Sequence, residues 1–352
     1  VTLCERLARH AGFRTALYTS PHILRFNERI RLDGVEVDDE ALCEAFVAVE
    51  QARADVPLTY FEFTTLAALW LFRRAAPDLV ILEVGLGGRL DAVNIVDADV
   101  AVITSIGLDH QDWLGDDREQ IGREKAGILR AGRPLLFGAE DMPASIAEAA
   151  RQGQAMLWRA GDQFGIDGDT VYWHQQGARC AAPVGRVPLG RDNLALAVQA
   201  LALVARLPAS FGDLAASVQL PGRCQRQSVE GVDWYLDVGH NREALARFLS
   251  LLPSPSRRRR AVCAMLADKP AAEVLADFAG QVDVWYLAGL EGPRGRPAAS
   301  LAALLPASAD ARTYPGVAEA VAAVRVDQQP GDQVLVFGSF HTVAAALAAL
   351  ES

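Results

Sequence analysis

Apolar positions along the chain fall into two rhythms, a helical one and short unbroken runs, and they alternate for most of its length. Val1–Ala11 is spaced as a helix and Phe13–Tyr18 follows as a strand. Arg29–Leu32 is a second short strand, ahead of an amphipathic helix that begins near Asp38. Phe61–Arg74 is apolar on nearly every face, which predicts a buried helix. Leu79–Leu82 and Val100–Ile103 are continuous apolar runs, the pattern of strands covered on both faces of a parallel sheet. Asp117–Arg130 predicts a helix and Pro134–Phe137 a further strand, whereas 150–188 is broken by Gly and Gln and yields no order. After a helix over Asp192–Ala205, Leu220-Pro221-Gly222-Arg223 has the composition of a hinge. Beyond it the alternation restarts, with strands at Trp234–Leu236, Ala261–Met265, Val282–Leu287 and Val334–Phe337. Pro253–Arg260 is read as a solvated loop. The pattern predicts an α/β protein with two sheet domains in tandem, divided into 1–222 and 223–352. A length of 352 residues suits two domains, each with its own core.

Composition narrows the function. A net charge of −10 lacks the basic footprint of a nucleic-acid binder. No apolar run approaches the roughly 18–20 residues of a membrane-spanning helix. Cys4, Cys43, Cys180, Cys224 and Cys263 are scattered without a CxxC pair, which fits a reducing cytoplasm better than a disulfide framework. The chain does not open on Met, so Val1 is not expected to be the natural start. Of 34 basic residues only Lys125 and Lys269 are lysines. Lysine can lose its proton and act as a nucleophile where arginine cannot, so both positions merit attention.

In open parallel sheets, ligands bind beyond the carboxyl ends of the strands. The residues just past each apolar strand here are rich in chemistry. They are Thr19-Ser20-Pro21-His22, Glu83 through Asp91, Gly107-Leu108-Asp109-His110, Asp237 through Asn241, Asp268-Lys269, and Gly338 through His341. Four of the six histidines lie in these loops. Such residues also serve as caps and turn formers, but six loops of this kind are hard to attribute to turns alone. Glu83 directly ends an apolar strand, where an unpaired carboxylate would be costly, so a partner is required. Mg²⁺ suits it, taking oxygen ligands and keeping waters for phosphate chemistry. Ser20 and His110 reach the same edge if the crossovers are right-handed. Gly85, Gly87 and Gly88 allow close backbone approach but do not form GxGxxG. Lys125 shares the apolar stripe of its helix with Ile121, Ile128 and Leu129. A snorkelling side chain is the alternative to a functional one there.

These loops resemble the folylpolyglutamate synthase family of Mur-ligase-like amide ligases, its bacterial bifunctional members above all. The resemblance rests on YTSPH (Tyr18–His22), YFEF (Tyr60–Phe63), EVGLGGRLDAVN (Glu83–Asn94), SIGLDH (Ser105–His110), EKAGI (Glu124–Ile128), PGRCQ (Pro221–Gln225), DVGHN (Asp237–Asn241) and VFGSFHTV (Val336–Val343). It runs essentially from Val1 to the C-terminus. It implies a larger P-loop-type, mostly parallel domain that binds ATP and pterin, then a smaller Rossmann-like glutamate ligase domain. It further implies ATP-dependent addition of L-glutamate to dihydropteroate and to folates through an acyl phosphate. Cationic groups and Mg²⁺ must offset charge on the transferred phosphoryl group. By motif position Ser20, Glu83 and His110 are implied Mg²⁺ ligands, and Lys125 matches the family's carbamylated lysine. Arg223 and His240 are implied to be catalytic and, with Asn193 and Asp237, to contact ATP. Thr59, Phe61 and Asp91 are implied to form the dihydropteroate pocket. Ser339 is a weaker substrate-binding match, and Lys269 another weak match. A cytoplasmic monomer without nucleic-acid or membrane partners is expected.

Three departures stand out. Arg242 replaces the family's usual Pro after His-Asn, and Pro270 the Asp that often follows Asp-Lys. No GxxxxGK(S/T) occurs, although the family carries it just before the helix that opens here. About fifty residues bearing that loop are therefore expected ahead of Val1 in the intact protein. Residues 1–352 alone would then bind ATP weakly and fail to turn over. The rival expectations are a monofunctional folylpolyglutamate synthase and a non-catalytic folate-binding protein without a P-loop.

Overall fold

The computed structural model describes residues 1–207 and 211–351. They form two compact units, Val1–Val218 and Gln219–Ser352.

The first unit holds three sheets. The strands β1 (Thr15–Tyr18), β2 (Ile30–Leu32), β3 (Val35–Glu36) and β4 (Leu79–Leu82) pair in the order β3-β2-β1-β4. Of these contacts β1–β4 is parallel and the other two are antiparallel. A parallel sheet of β5 (Ala101–Ile103), β6 (Pro134–Phe137) and β7 (Met156–Arg159) follows. The stretch that gave no order in the sequence supplies β7 and an antiparallel sheet of β8 (Gly165–Asp167), β9 (Thr170–Gln175) and β10 (Ala178–Pro183).

Local chemistry sets the helix limits. Asp38 accepts from the Ala41 N–H and starts the helix Asp39–Arg53. Thr59 and Glu62 form a reciprocal capping box that starts Tyr60–Ala75. That helix is not buried all round. It turns Thr64, Thr65, Ala67, Ala68, Leu71 and Phe72 inward and leaves Tyr60 and Leu66 exposed. The helix expected over Asp117–Arg130 spans Arg118–Ala126. The Asn94 amide donates to the Gly127 carbonyl and Arg89 N–H to that of Glu124, so the loop after β4 takes the acceptors of the last turn. Lys125 consequently lies one residue from a helix end. The doubly covered reading of Leu79–Leu82 also changes, because none of its four residues is fully buried and Val80 is 41% exposed.

The second unit is one sheet in the order β11-β12-β16-β13-β14-β15. Its strands are β11 (Gln225–Val229), β12 (Val232–Asp237), β13 (Arg259–Cys263), β14 (Val284–Ala288), β15 (Asp310–Tyr314) and β16 (Gln333–Phe337). All contacts are parallel except that of β11 with β12. β13, β14 and β16 are buried throughout, which suits the apolar runs Ala261–Cys263, Val284–Ala288 and Val334–Phe337 within them. The expected solvated loop over Pro253–Arg260 is corrected at its end. Arg259 and Arg260 open β13 and are 8% and 5% exposed. Asp332 pairs with Arg260 at 2.7 Å, and the Gln333 amide oxygen accepts from Arg259 Nε at 2.7 Å. Partners distant in the chain thus make two buried cations tolerable.

Candidate active site

Parallel pairing aligns Tyr18 with Leu82, so the loops that follow β1 and β4 leave the same edge. The Glu83 N–H donates to the Tyr18 carbonyl, carrying the ladder one residue further. The Glu83 carboxylate then accepts from the Ser20 N–H at 3.1 Å. Ser20, which precedes a cis proline, and Glu83 are thereby brought together. Their hydroxyl and carboxylate oxygens are hard donors of the kind Mg²⁺ takes. His110 stands on the loop after β5 with a left-handed φ of 54°, caps the short helix Gln111–Leu114, and is half exposed. Its Nε2 lies 4.0 Å from the Asp109 carboxylate. Among the described residues no three His, Cys, Asp or Glu side chains converge on one point.

Lys125 is half-buried. Burial lowers its pKa below the lysine range, against the opposing pull of Asp109. Asp109 stands in the sequence only as part of a chemistry-rich loop, where no local pattern links it to Lys125 sixteen residues on. The glycine-rich loop packs on the end of the same helix. A Cβ on Gly88 would come within 2.9 Å of the Lys125 carbonyl oxygen, so only glycine fits there.

Asp91 is engaged by its own loop. One carboxylate oxygen accepts from the Gly85 and Leu86 N–H groups and the other from Val93, each at 3.0 Å. Phe61 lies against the same turn, where a Cβ on Gly85 would meet its ring at 2.6 Å. Thr59 lies one residue before that helix and lines a cleft of about 600 Å³ with Phe26, Phe46, Tyr60 and Phe63. Asn193 is on the first turn of the helix Arg191–Ala202, its amide donating to the Leu189 carbonyl.

In the second unit, β12, β16 and β13 are neighbours and end in register at Asp237, Phe337 and Cys263. Asp237 is 8% exposed and accepts from the Cys224 N–H at 2.8 Å and the Gly239 N–H at 2.7 Å. Burial raises its pKa, against those two bonds and the nearby Arg223 and Arg247 charges. Arg223 and His240 adjoin the two amides that Asp237 holds. Arg223 lies over the Phe340 ring at 5.5 Å. His240 Nδ1 donates to the Val238 carbonyl at 3.0 Å, which fixes the ring tautomer. The Ser339 hydroxyl is buried, bonding Thr342 Oγ1 at 2.7 Å and capping the helix Phe340–Glu351. Lys269 is on the loop after β13, its carbonyl accepting from Arg296.

Oxygen donors at the carboxyl ends of strands in two successive sheet units suit an enzyme that handles phosphates, and comparison with known proteins makes it an ATP-dependent acid–amino-acid ligase of the Mur type. The family described as Mur ligase, glutamate ligase domain, matches residues 222–340. The dihydrofolate synthase/folylpolyglutamate synthase of Escherichia coli (strain K12) is 44% identical over 354 residues, covering 99% of this chain and 83% of that protein. Its Haemophilus influenzae counterpart is 37% identical over 99% of this chain and 85% of its own length. The structure of E. coli FolC in complex with DHPP and ADP matches with a TM-score of 0.92 at 42% identity, over 99% of this chain and 85% of that one. A bifunctional folylpolyglutamate synthase/dihydrofolate synthase with Mn, AMPPNP and L-glutamate bound gives a TM-score of 0.90 at 44% identity, over 100% and 86%. The chain belongs to the dihydrofolate synthase/folylpolyglutamate synthase family.

Proposed function

We propose that this ligase adds L-glutamate to dihydropteroate, and further glutamates to folates, through an acyl phosphate. The observation that carries the reading is the Ser20–Glu83 junction at the shared end of β1 and β4. Relatives whose structures hold DHPP with ADP, and Mn with AMPPNP and L-glutamate, support it.

An oxygen of the acceptor carboxylate attacks the terminal phosphorus of ATP, and the bond to the bridging oxygen breaks to release ADP. The L-glutamate amine adds to the acyl carbon and loses a proton, and the tetrahedral intermediate collapses to the amide with loss of phosphate. Mg²⁺, when bound, would neutralise charge on the transferred group. Ser20, Glu83 and His110 are the residues to hold it. Lys125 is proposed to be carbamylated: its neutral amine adds CO₂ with loss of a proton, exchanging a cation for an anion. Burial favours that neutral amine. Asn193, Arg223, Asp237 and His240 are assigned to ATP, with Arg223 and His240 taking part in the chemistry. Asp237 acts through the loops on which those two sit. Thr59, Phe61 and Asp91 are assigned to the pterin acid, Ser339 to substrate.

The test is an assay of the intact protein. ADP release should require both dihydropteroate and L-glutamate, and the product should be heavier by one glutamyl residue. An acceptor labelled with heavy oxygen in its carboxylate should pass one labelled atom to inorganic phosphate. Unlabelled phosphate would exclude the acyl phosphate. Turnover with tetrahydrofolate but not dihydropteroate would make the enzyme monofunctional.

A further inference from the structure

Arg29 has no role in the reading above, yet it is the most unusual charged side chain at this edge. It closes the turn Phe26–Arg29, ahead of β2, and is only 7% exposed. Its carbonyl accepts from the Thr19 N–H at 2.8 Å, which ties it to the loop that carries Ser20. Its guanidinium carbon lies 5.5 Å from the centroids of both the Phe26 and Tyr60 rings. Its Nε donates to His22 Nδ1 at 2.8 Å. Among the described residues no carboxylate forms an ion pair with Arg29. The neighbouring Glu28 carboxylate accepts instead from the Ile23, Leu24 and Arg25 N–H groups. No acceptor among the described residues meets either Arg29 Nη, and neither is among the sealed, unpartnered polar atoms. An arginine whose stem is buried against rings and one imidazole, with no carboxylate partner, keeps both Nη groups open to an anion from outside. Its unused fork matches a carboxylate. Phe26 and Tyr60 also form part of the wall of the 600 Å³ aromatic cleft.

We propose that Arg29 recognises the carboxylate of the acceptor acid, whose ring system the adjoining aromatic cleft accommodates. This assignment rests on the proposed ligase reaction only for the identity of that acid. Calorimetry on the intact protein with pteroate and its carboxamide tests it without turnover. The wild type should bind the acid at least ten-fold more tightly than the amide. Arg29→Lys, which keeps charge but loses the fork, should shrink that preference several-fold, and Arg29→Gln should erase it, with amide binding unchanged in both. In the assay, Arg29→Lys should raise KM for the acceptor while KM for L-glutamate stays put. Equal binding of acid and amide by the wild type would overturn the proposal. So would parallel loss of both ligands in Arg29→Lys, the mark of a purely structural arginine, or a rise confined to the L-glutamate KM. If the wild type prefers the acid yet makes no amide, the reaction fails and the carboxylate site stands.

Discussion

Lys125 shows how one residue's surroundings bear on the chemistry proposed for it. Near the end of its helix, burial drives the Lys125 pKa down against the opposing pull of Asp109. The neutral amine that CO₂ requires is therefore populated at lower pH than in a solvated lysine. Lys125→Arg keeps charge and approximate length but forms no stable carbamate, so turnover should fall at least about 100-fold, roughly 3 kcal/mol in barrier. Thermal unfolding should be little changed. Near-normal turnover in steady-state assays would return Lys125 to a snorkelling side chain. Asp237 is held differently, its carboxylate occupied by two amides, so its influence passes through the backbone it orders.

At the level of elements, the loop from Glu83 to Asn94 is the piece on which most depends. The β1–β4 register sets where it starts, Gly88 lets it approach the Lys125 helix, and Asp91 closes it through three amides. Asp91→Ala leaves those donors without their acceptor and relaxes the turn against which Phe61 packs. We expect an acceptor KM at least about ten-fold higher, about 1.4 kcal/mol, with apparent ATP affinity nearly unchanged. Kinetics with each substrate varied in turn checks this, and an equal loss for ATP would place Asp91 with the metal ligands. Half of this arrangement could be read from the chain. Ser20 and Glu83 follow apolar strands, and a crossover between parallel strands places them together. The amides that Asp91 holds could not be read, because Asp in a glycine-rich turn suits a cap and a ligand contact equally.

Across the molecule, the second unit separates chemistry from stability. The proposed site residues Asp237, His240 and Ser339 are at the carboxyl ends of β12 and β16, while Arg260 and Asp332 pair at the opposite edge with side chains 6% and 0% exposed. Arg260 also donates to the Tyr286 hydroxyl, which donates to Asp327; burial, then the Asp327 bond, pushes the Tyr286 phenol up to about 12. Burial alone would raise the Asp332 pKa, but the Arg260 bond and the Gln329 N–H more than offset it and leave it lowered. A depressed carboxylate contributes stability in full above its unfolded pKa and loses it as pH falls through the folded value. Asp332→Ala strands the Arg260 charge and should cost about 3–5 kcal/mol at neutral pH. Urea unfolding of wild type and variant should show that gap, and it should close in acid below the ordinary aspartate range. A gap independent of pH would show that the ion pair is not its source.

The sequence by itself determined the α/β class, the positions of most strands, and the loops that carry oxygen donors and lysine. Each of these is a property of residues within one element, where apolar runs end and Gly, Asp, Ser or His begin. Tertiary structure alone decided that Arg259 and Arg260 are buried in β13, that the Asp109 charge acts on Lys125, and that Arg29 lies against two rings. Periodicity records how far a side chain is buried but not by what. Arg260 and Asp332 are 72 residues apart, and no local pattern in the chain couples them.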